Sequence, residues 1–412
     1  MKMLLIGLLV ITTAISQAKN NDNIVPGSFI VILKQGVNSA DVVREHGVVP
    51  EAVFDHALRG FAGPLSAAKV AALRADPRVK DVEPDRVVSL IHPVKIEAVQ
   101  AAAVETLSTG IDRIDAEAHP RTDVSGVGIA IIDTGIWKTH ADLNVAGGYN
   151  CTSTKTANWT DDNGHGTHVA GIAAAKAGNS LGVRGVAPNA RLYAVKVLNR
   201  SGSGYLSWII KGVDWVTANA ASKGIRVANM SLGFSGTSTA LNTAINNSVA
   251  AGVTYVVAAG NEASNAENYG PANHPLVITV SAIADSNGRC GGGGPSTSYG
   301  ADDTFASFSN YGSPVDIAAP GVSIYSTYLG DKRNPSGTYA TMSGTSMASP
   351  HAAGAAAQYI ATNPTATPAA VRSALIANGI PQGFACVGST GNGGFTGDPD
   401  GLPEPLLYVP GL

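Results

Sequence analysis

Charge of neither sign dominates this sequence. Its 412 residues carry 27 Lys and Arg against 30 Asp and Glu, a formal net charge of −3. So even a balance leaves no basic footprint for nucleic acid and no patch for an anionic membrane. Charged residues make up only 14% of the chain and hydrophobic ones 44%, which argues against global disorder and permits a large core. Beyond the first residues, no apolar run approaches the ~20 residues needed to cross ~30 Å of hydrocarbon. Cysteine is scarce: Cys151, Cys290 and Cys386 are all there is. Three cysteines make one disulfide and one free thiol the simplest arithmetic, with three possible pairings. Cys290–Cys386 is favoured because both lie in Gly-rich loops that read as surface. None of the three has the flanking signature of a thiol enzyme. Glycine, in contrast, is abundant: 48 residues against a usual ~7%, which suits tight turns and close backbone approaches.

The length predicts two or three units at roughly 100–200 residues each. Residues 1–18 read as an export signal: Lys2, an apolar run Met3 to Ile11, then the small-residue stretch Ser16-Gln17-Ala18 for cleavage. The product is therefore expected to be soluble, extracellular and monomeric. Residues 19–104 read as a small α+β unit followed by a linker. Ser28–Leu33 is a strand by apolar and β-branched content, and Asp41 opens a helix as its cap. Phe61–Leu65 is a second strand, Ser66 caps a helix through Ala75, and Val79–Asp85 is a third strand. Ile91–Thr106, rich in Ala, Val and Glu, reads as linker. From 105 to 412 strand-length apolar runs alternate with helices: Val127–Ile132, Leu192–Leu198, Val227–Ser231 and Val253–Ala258 are strands, and Val169–Ala175, Ser207–Ala221 and Leu241–Ala251 are helices. Near-continuous apolar strands separated by helices predict an α/β, doubly wound, mostly parallel sheet. Functional groups then belong at the carboxyl ends of its strands.

Three polar clusters sit beside apolar elements: Asp133 ending a buried strand, His165 entering a helix in Asn163–Gly171, and Ser346 starting an Ala-rich helix. Serine is a weak nucleophile alone. It needs an imidazole to take its proton and a buried carboxylate to orient that imidazole. With "AIIDTGI", "DNGHGTHVAG", "VAAGNE" and "YATMSGTSMASPHAAG" in that order, residues 107–412 resemble the subtilase family of serine proteases. The stretch "FIVILK … GFAGPLSAAKVAALRADPRVKDVEPDRVV" resembles its inhibitor-type, ferredoxin-like pro-domain. The resemblance implies Asp133 as orienting acid, His165 as general base then acid, Ser346 as nucleophile and Asn261 as side-chain donor to the oxyanion. It also implies a self-processing zymogen whose pro-domain serves as intramolecular inhibitor and chaperone.

Such enzymes hold protein or peptide substrate as an added antiparallel strand. The matching segments are Gly202-Ser203-Gly204 and Ser231-Leu232-Gly233, with Ala258-Ala259-Gly260 across the primary pocket. These walls are small or apolar, so broad or apolar selectivity is expected, though Glu262 and Glu267 lie nearby. The resemblance further implies a structural Ca²⁺ held by Asp142, Asn179 and the carbonyls of Ala177, Leu181 and Val183. Ca²⁺ takes 6–8 oxygens, so further ligands are needed. No organic cofactor is implied. His168 forms an HxxH with His165, but zinc hydrolases of that spacing want H-E-x-x-H, and a structural role is expected. Two other functions compete. A serine esterase would carry G-x-S-x-G, and here Met347-Ala348 follow Ser346. A non-catalytic binding protein on this scaffold would lack one of the key residues.

Overall fold

The computed structural model describes residues 23–91, 95–100, 104–118, 123–388 and 392–412. The expected export signal lies outside the described residues.

Residues 24–90 fold as β-α-β-β-α-β. Ile24–Leu33 lies between Gly60–Pro64 and Val79–Leu90, with Ala52–Phe54 on the outer edge, all antiparallel. This is the ferredoxin-like order expected. Alternate residues of the central strand face opposite sides. Val31, Leu33, Phe61 and Val82 bury under the helices Ser39–Glu45 and Ala67–Ala75, while Ile30, Ile32, Phe54 and Ala62 share a core with the larger unit. Ser66 caps the second helix as predicted, accepting from the Lys69 N–H. The first helix starts earlier than expected: Asn38, not Asp41, caps it by accepting from Ala40. An Asx side chain two residues ahead of the amide satisfies that donor directly, and Asp41 instead strengthens the first turn.

The larger unit is built on a sheet in the order Thr304–Phe305, Ile278–Ala284, Thr254–Ala258, Ile225–Met230, Gly128–Asp133, Arg191–Lys196, Val145–Asn150, with Ile317–Pro320 also paired to Ile278–Ala284. All pairings are parallel except that of the short strand Thr304–Phe305. Helices cover both faces. Ile129 and Ile131 bury with the helices His165–Ala174 and Thr345–Thr362 on one face. Ala130 and Ile132 bury with Leu206–Lys223 on the other. From Gly128–Asp133 the chain passes to Val145–Asn150 and Arg191–Lys196 on one side and then crosses to Ile225–Met230 on the other. That reversal opens a crevice at the strand's carboxyl end, where Asp133 stands.

One further sequence expectation changes. The stretch Ile91–Thr106 is not all linker: Lys95–Gln100 pairs antiparallel with Thr338–Ser343. Its Ala, Val and Ile content suits a strand once a free edge is at hand. Cys290 and Cys386 form a disulfide, the pairing favoured from the sequence, and Phe395 nearby in sequence is buried. Cys151 is the free thiol, buried, with burial pushing it up to about 12, so it is inert as a nucleophile.

Candidate active site

Asp133 ends its strand with both oxygens turned to His165. Nδ1 of His165 lies 2.8 Å from Oδ1 and 2.9 Å from Oδ2, and the Thr134 N–H donates to Oδ1 at 2.7 Å. A carboxylate on Nδ1 places the ring proton there and leaves Nε2 as the lone-pair nitrogen. That nitrogen is buried and has no hydrogen-bond partner among the described residues.

The helix that carries His165 begins where two glycines allow it. Gly164 has φ +111, and a Cβ there would meet the Tyr328 ring; a Cβ on Gly166 would run into the Gly135 carbonyl. The histidine can approach the strand end only because both side chains are missing. Asp161 fixes the turn. Its Oδ1 accepts from the Asn163 and Gly164 N–H groups, and its Oδ2 from the Thr167 N–H and hydroxyl at 3.0 and 2.6 Å. Sequence reasoning passed over Asp161; an acid two to six residues ahead of amides at a helix start was the available signal.

Ser346 is the second residue of Thr345–Thr362, so its N–H is among the four that no helical carbonyl accepts. Pro350 has no N–H to return to the Ser346 carbonyl. Ser231 Oγ donates to that carbonyl instead at 3.0 Å, and the Ser346 hydroxyl makes one long contact, 3.4 Å, to the Ser231 carbonyl. Neighbouring hydroxyls are committed. Ser349 donates to Asn229 at 2.7 Å, Thr345 to Asn261 at 2.8 Å, and Ser343 accepts from the Ser323 N–H at 2.9 Å. Ser346 is thus the hydroxyl most easily redirected. Asn261 is held by its Oδ1, which accepts from the Thr345 N–H and hydroxyl, so its Nδ2 faces outward and donates to the Ile91 carbonyl at 3.1 Å.

Ile91 follows the last strand of the N-terminal unit. That strand runs antiparallel between the two segments singled out from sequence. Val88 and Ser89 pair with Gly204 and Ser203, and Ser89 and Leu90 with Gly233 and Leu232; the Leu90 N–H donates to the Gly202 carbonyl at 2.9 Å. Beside Ile91 a cavity of about 150 Å³ is lined by Gly233, Ala258, Ala259, Gly260, Glu262 and Gly270. Glu262 is therefore in the wall. Its Oε2 accepts from Asn310 Nδ2 at 2.7 Å, and burial holds its carboxyl above the usual range. Glu267 turns away to the Ser313 hydroxyl.

His168 has the structural place expected of it. Its Nε2–H donates to the Ile324 and Ala340 carbonyls at 3.0 and 2.9 Å, and burial lowers its pKa to about 3.

The loop 177–183 wraps Asp142. Asn179 Nδ2 donates to Oδ1 at 2.7 Å and the Val183 N–H to Oδ2 at 3.0 Å. Glu105, not foreseen for this loop, accepts from the Gly178 and Asn179 N–H groups at 2.8 and 3.1 Å. Burial, with the Glu105 charge as a lesser cause, holds Asp142 above its ordinary value. Asp142 and Glu105 thus bring two carboxylates to one loop, where Asn179 Oδ1 accepts from the Leu181 N–H at 2.9 Å; carboxylate, amide and backbone oxygens are the donor chemistry that Ca²⁺ takes. Among the described residues no three His, Cys, Asp or Glu side chains gather at a metal site, so such a site would rest largely on backbone oxygens.

The N-terminal unit also grips two helix N-termini of the larger one. Asp85 accepts from the Ser207 N–H and hydroxyl at 3.1 and 2.6 Å, and Glu83 from the Thr239 N–H at 3.1 Å and the Ser238 hydroxyl. In return Asp214 accepts from the His56 and Ala57 N–H groups at 2.7 Å each. Carboxylates at helix N-termini are favourable partners. Asp85→Ala strands the Ser207 amide, at a cost of about 1–3 kcal/mol. Titrating the mature enzyme with variant N-terminal domain should then show roughly 10–100-fold weaker inhibition; unchanged inhibition would deny these contacts a role.

The fold and this site define a serine endopeptidase lying against an inhibitor-type domain of its own chain. Residues 124–395 match the family described as "Subtilase family" and residues 28–91 the one described as "Peptidase inhibitor I9". The chain belongs to the subtilase family. It is 41% identical over 340 residues to Subtilisin NAT of Bacillus subtilis subsp. natto, covering 81% of this chain and 79% of that one. Subtilisin of Bacillus pumilus is 44% identical over 276 residues, 66% of this chain and 90% of its own. The solved "cold adapted subtilisin-like serine proteinase" superimposes with a TM-score of 0.55 at 36% identity, covering 73% of this chain and 97% of the other.

Proposed function

We propose that the chain is an exported zymogen, with signal 1–18, pro-domain and linker 19–104 and peptidase domain 105–412, whose mature form hydrolyses peptide bonds through Asp133, His165 and Ser346. The observation that carries this is His165 itself, clamped by Asp133 on Nδ1 with a bare Nε2, together with the loosely held Ser346 hydroxyl. Ser346 Oγ attacks the peptide carbonyl carbon as its proton passes to Nε2. Asp133 stabilises the imidazolium. The Asn261 Nδ2 and the Ser346 N–H receive the oxyanion, and His165 returns the proton to the leaving amine. Water then hydrolyses the acyl-enzyme by the same base. Peptides lie as an antiparallel strand on Gly202–Gly204 and Ser231–Gly233.

Selectivity is broad or apolar in this reading. The cavity walls are mostly small, and Glu262 is engaged by Asn310 and raised by burial. A mixed peptide library should show apolar side chains before the cut bond; strict Arg/Lys selectivity would reverse this reading of Glu262. Two features argue against an esterase: the G-x-S-x-G frame is missing, and a peptide strand already lies on both binding segments.

Asp142, Asn179, Glu105 and the carbonyls of Ala177, Leu181 and Val183 would hold Ca²⁺, which when bound neutralises the two acids and ties the loop to the core. A ligand at 100 times its Kd adds about 2.7 kcal/mol, or roughly 5–10 °C in Tm. Calorimetry with and without chelator should show that drop, and an unchanged Tm would remove the ion from the account.

A further inference from the structure

We infer that Ile91–His92 is the first bond this enzyme cuts in its own chain. The inference rests on the peptidase reading above and goes beyond it in naming one bond. The two strand pairings upstream, Ser89 with Ser203 and Gly233 and Leu90 with Leu232, leave Ile91 as the next residue of an extended chain. Its carbonyl is the one that accepts from Asn261 Nδ2, at 3.1 Å. Its side chain is buried at the Gly233–Ala258–Glu262 cavity. Downstream, Lys95 pairs with Ser343 and Ile96 with Met342, so the chain is held as a strand again three residues before Ser346. The described backbone is thus anchored up to Ile91 and again from Lys95, and within it Ile91 supplies the carbonyl seated on the oxyanion donor.

The chemistry balances without any further reactant but water. Ser346 Oγ bonds to the Ile91 carbonyl carbon and its proton goes to His165 Nε2. The C–N bond to His92 breaks and the nitrogen takes that proton. Water then releases Ile91 as a carboxylate and restores the hydroxyl. Because Lys95–Gln100 is paired independently of Val79–Leu90, cutting frees neither strand at once. The severed N-terminal piece stays as a product-like inhibitor.

The test is early-time mass spectrometry of the full-length precursor, refolded and quenched in acid. The first product pair should have masses that sum to the precursor plus one water, with the smaller piece ending at Ile91. Reading that piece avoids any later trimming of the larger one. Ile91→Asp places a carboxylate beside Glu262 and should slow this cut roughly 10–100-fold, while Ile91→Leu should restore it, which separates a pocket effect from misfolding. A first division elsewhere, by protein that still digests casein, overturns the assignment and leaves the peptidase reading standing. A precursor that neither divides nor digests casein overturns both.

Discussion

Ser346→Ala is expected to lower peptide hydrolysis on the order of 10⁶-fold, the size found when subtilisin, a relative of this chain, loses its serine, and to leave the precursor whole. The hydroxyl contributes one 3.4 Å contact to the fold, so thermal stability should change little. That split is informative, because a structural serine would lose stability and keep activity. Purified Ser346→Ala, from a host lacking other proteases, should run at full length and show its native Tm. Efficient maturation of that variant would mean another residue or another molecule does the cutting.

Asp133→Asn is the second large effect. The carboxylate offers acceptors to His165 from both oxygens and to the Thr134 N–H from one. An amide keeps the shape but has one acceptor. If its oxygen stays with Thr134, its NH₂ faces Nδ1 and forces the ring proton onto Nε2, which then has no lone pair for Ser346. The expected loss in kcat is on the order of 10⁴-fold, with KM nearly unchanged. A small loss, or one confined to KM, would show that Asp133 binds or braces and does not set the tautomer.

The N-terminal contacts explain why the precursor should be quiescent before any cut. Asp85 and Glu83 hold two helix N-termini, Asp214 reaches back to His56 and Ala57, and the strand that joins them runs through the cleft. Binding of the domain and obstruction of the site are one event in this geometry. A parallel sheet with many non-local pairings folds slowly, and a small partner set against its helix ends stabilises the arrangement the sheet must reach.

The parallel sheet was legible because its strands are buried on both faces and so carry unbroken apolar runs, as in Gly128–Asp133 and Thr254–Ala258. Asp133, His165 and Ser346 stood out because each sits at an abrupt change from an apolar element to a Gly-flanked polar cluster; their expected roles, and Asn261 altogether, came only from the resemblance to the subtilase family. What stayed hidden depends on contacts across the chain. Lys95–Gln100 has a linker's composition and becomes a strand only because Thr338–Ser343 offers an edge. Asp161 reads as a turn residue until its four donors are seen. Glu105 is 73 residues from the amide it receives at Gly178, a separation no local pattern encodes. The pairing Cys290–Cys386 spans 96 residues and was readable only through the Gly-rich loops at both ends.

The most direct measurement is active-site titration of the mature enzyme with a serine-directed phosphonylating reagent, followed by peptide mapping. One adduct per molecule should form, on the peptide that contains Ser346, and casein hydrolysis should fall in proportion to labelling. An adduct on any other residue, or full labelling of Ser346 with hydrolysis intact, would contradict the assignment of the nucleophile and with it the mechanism.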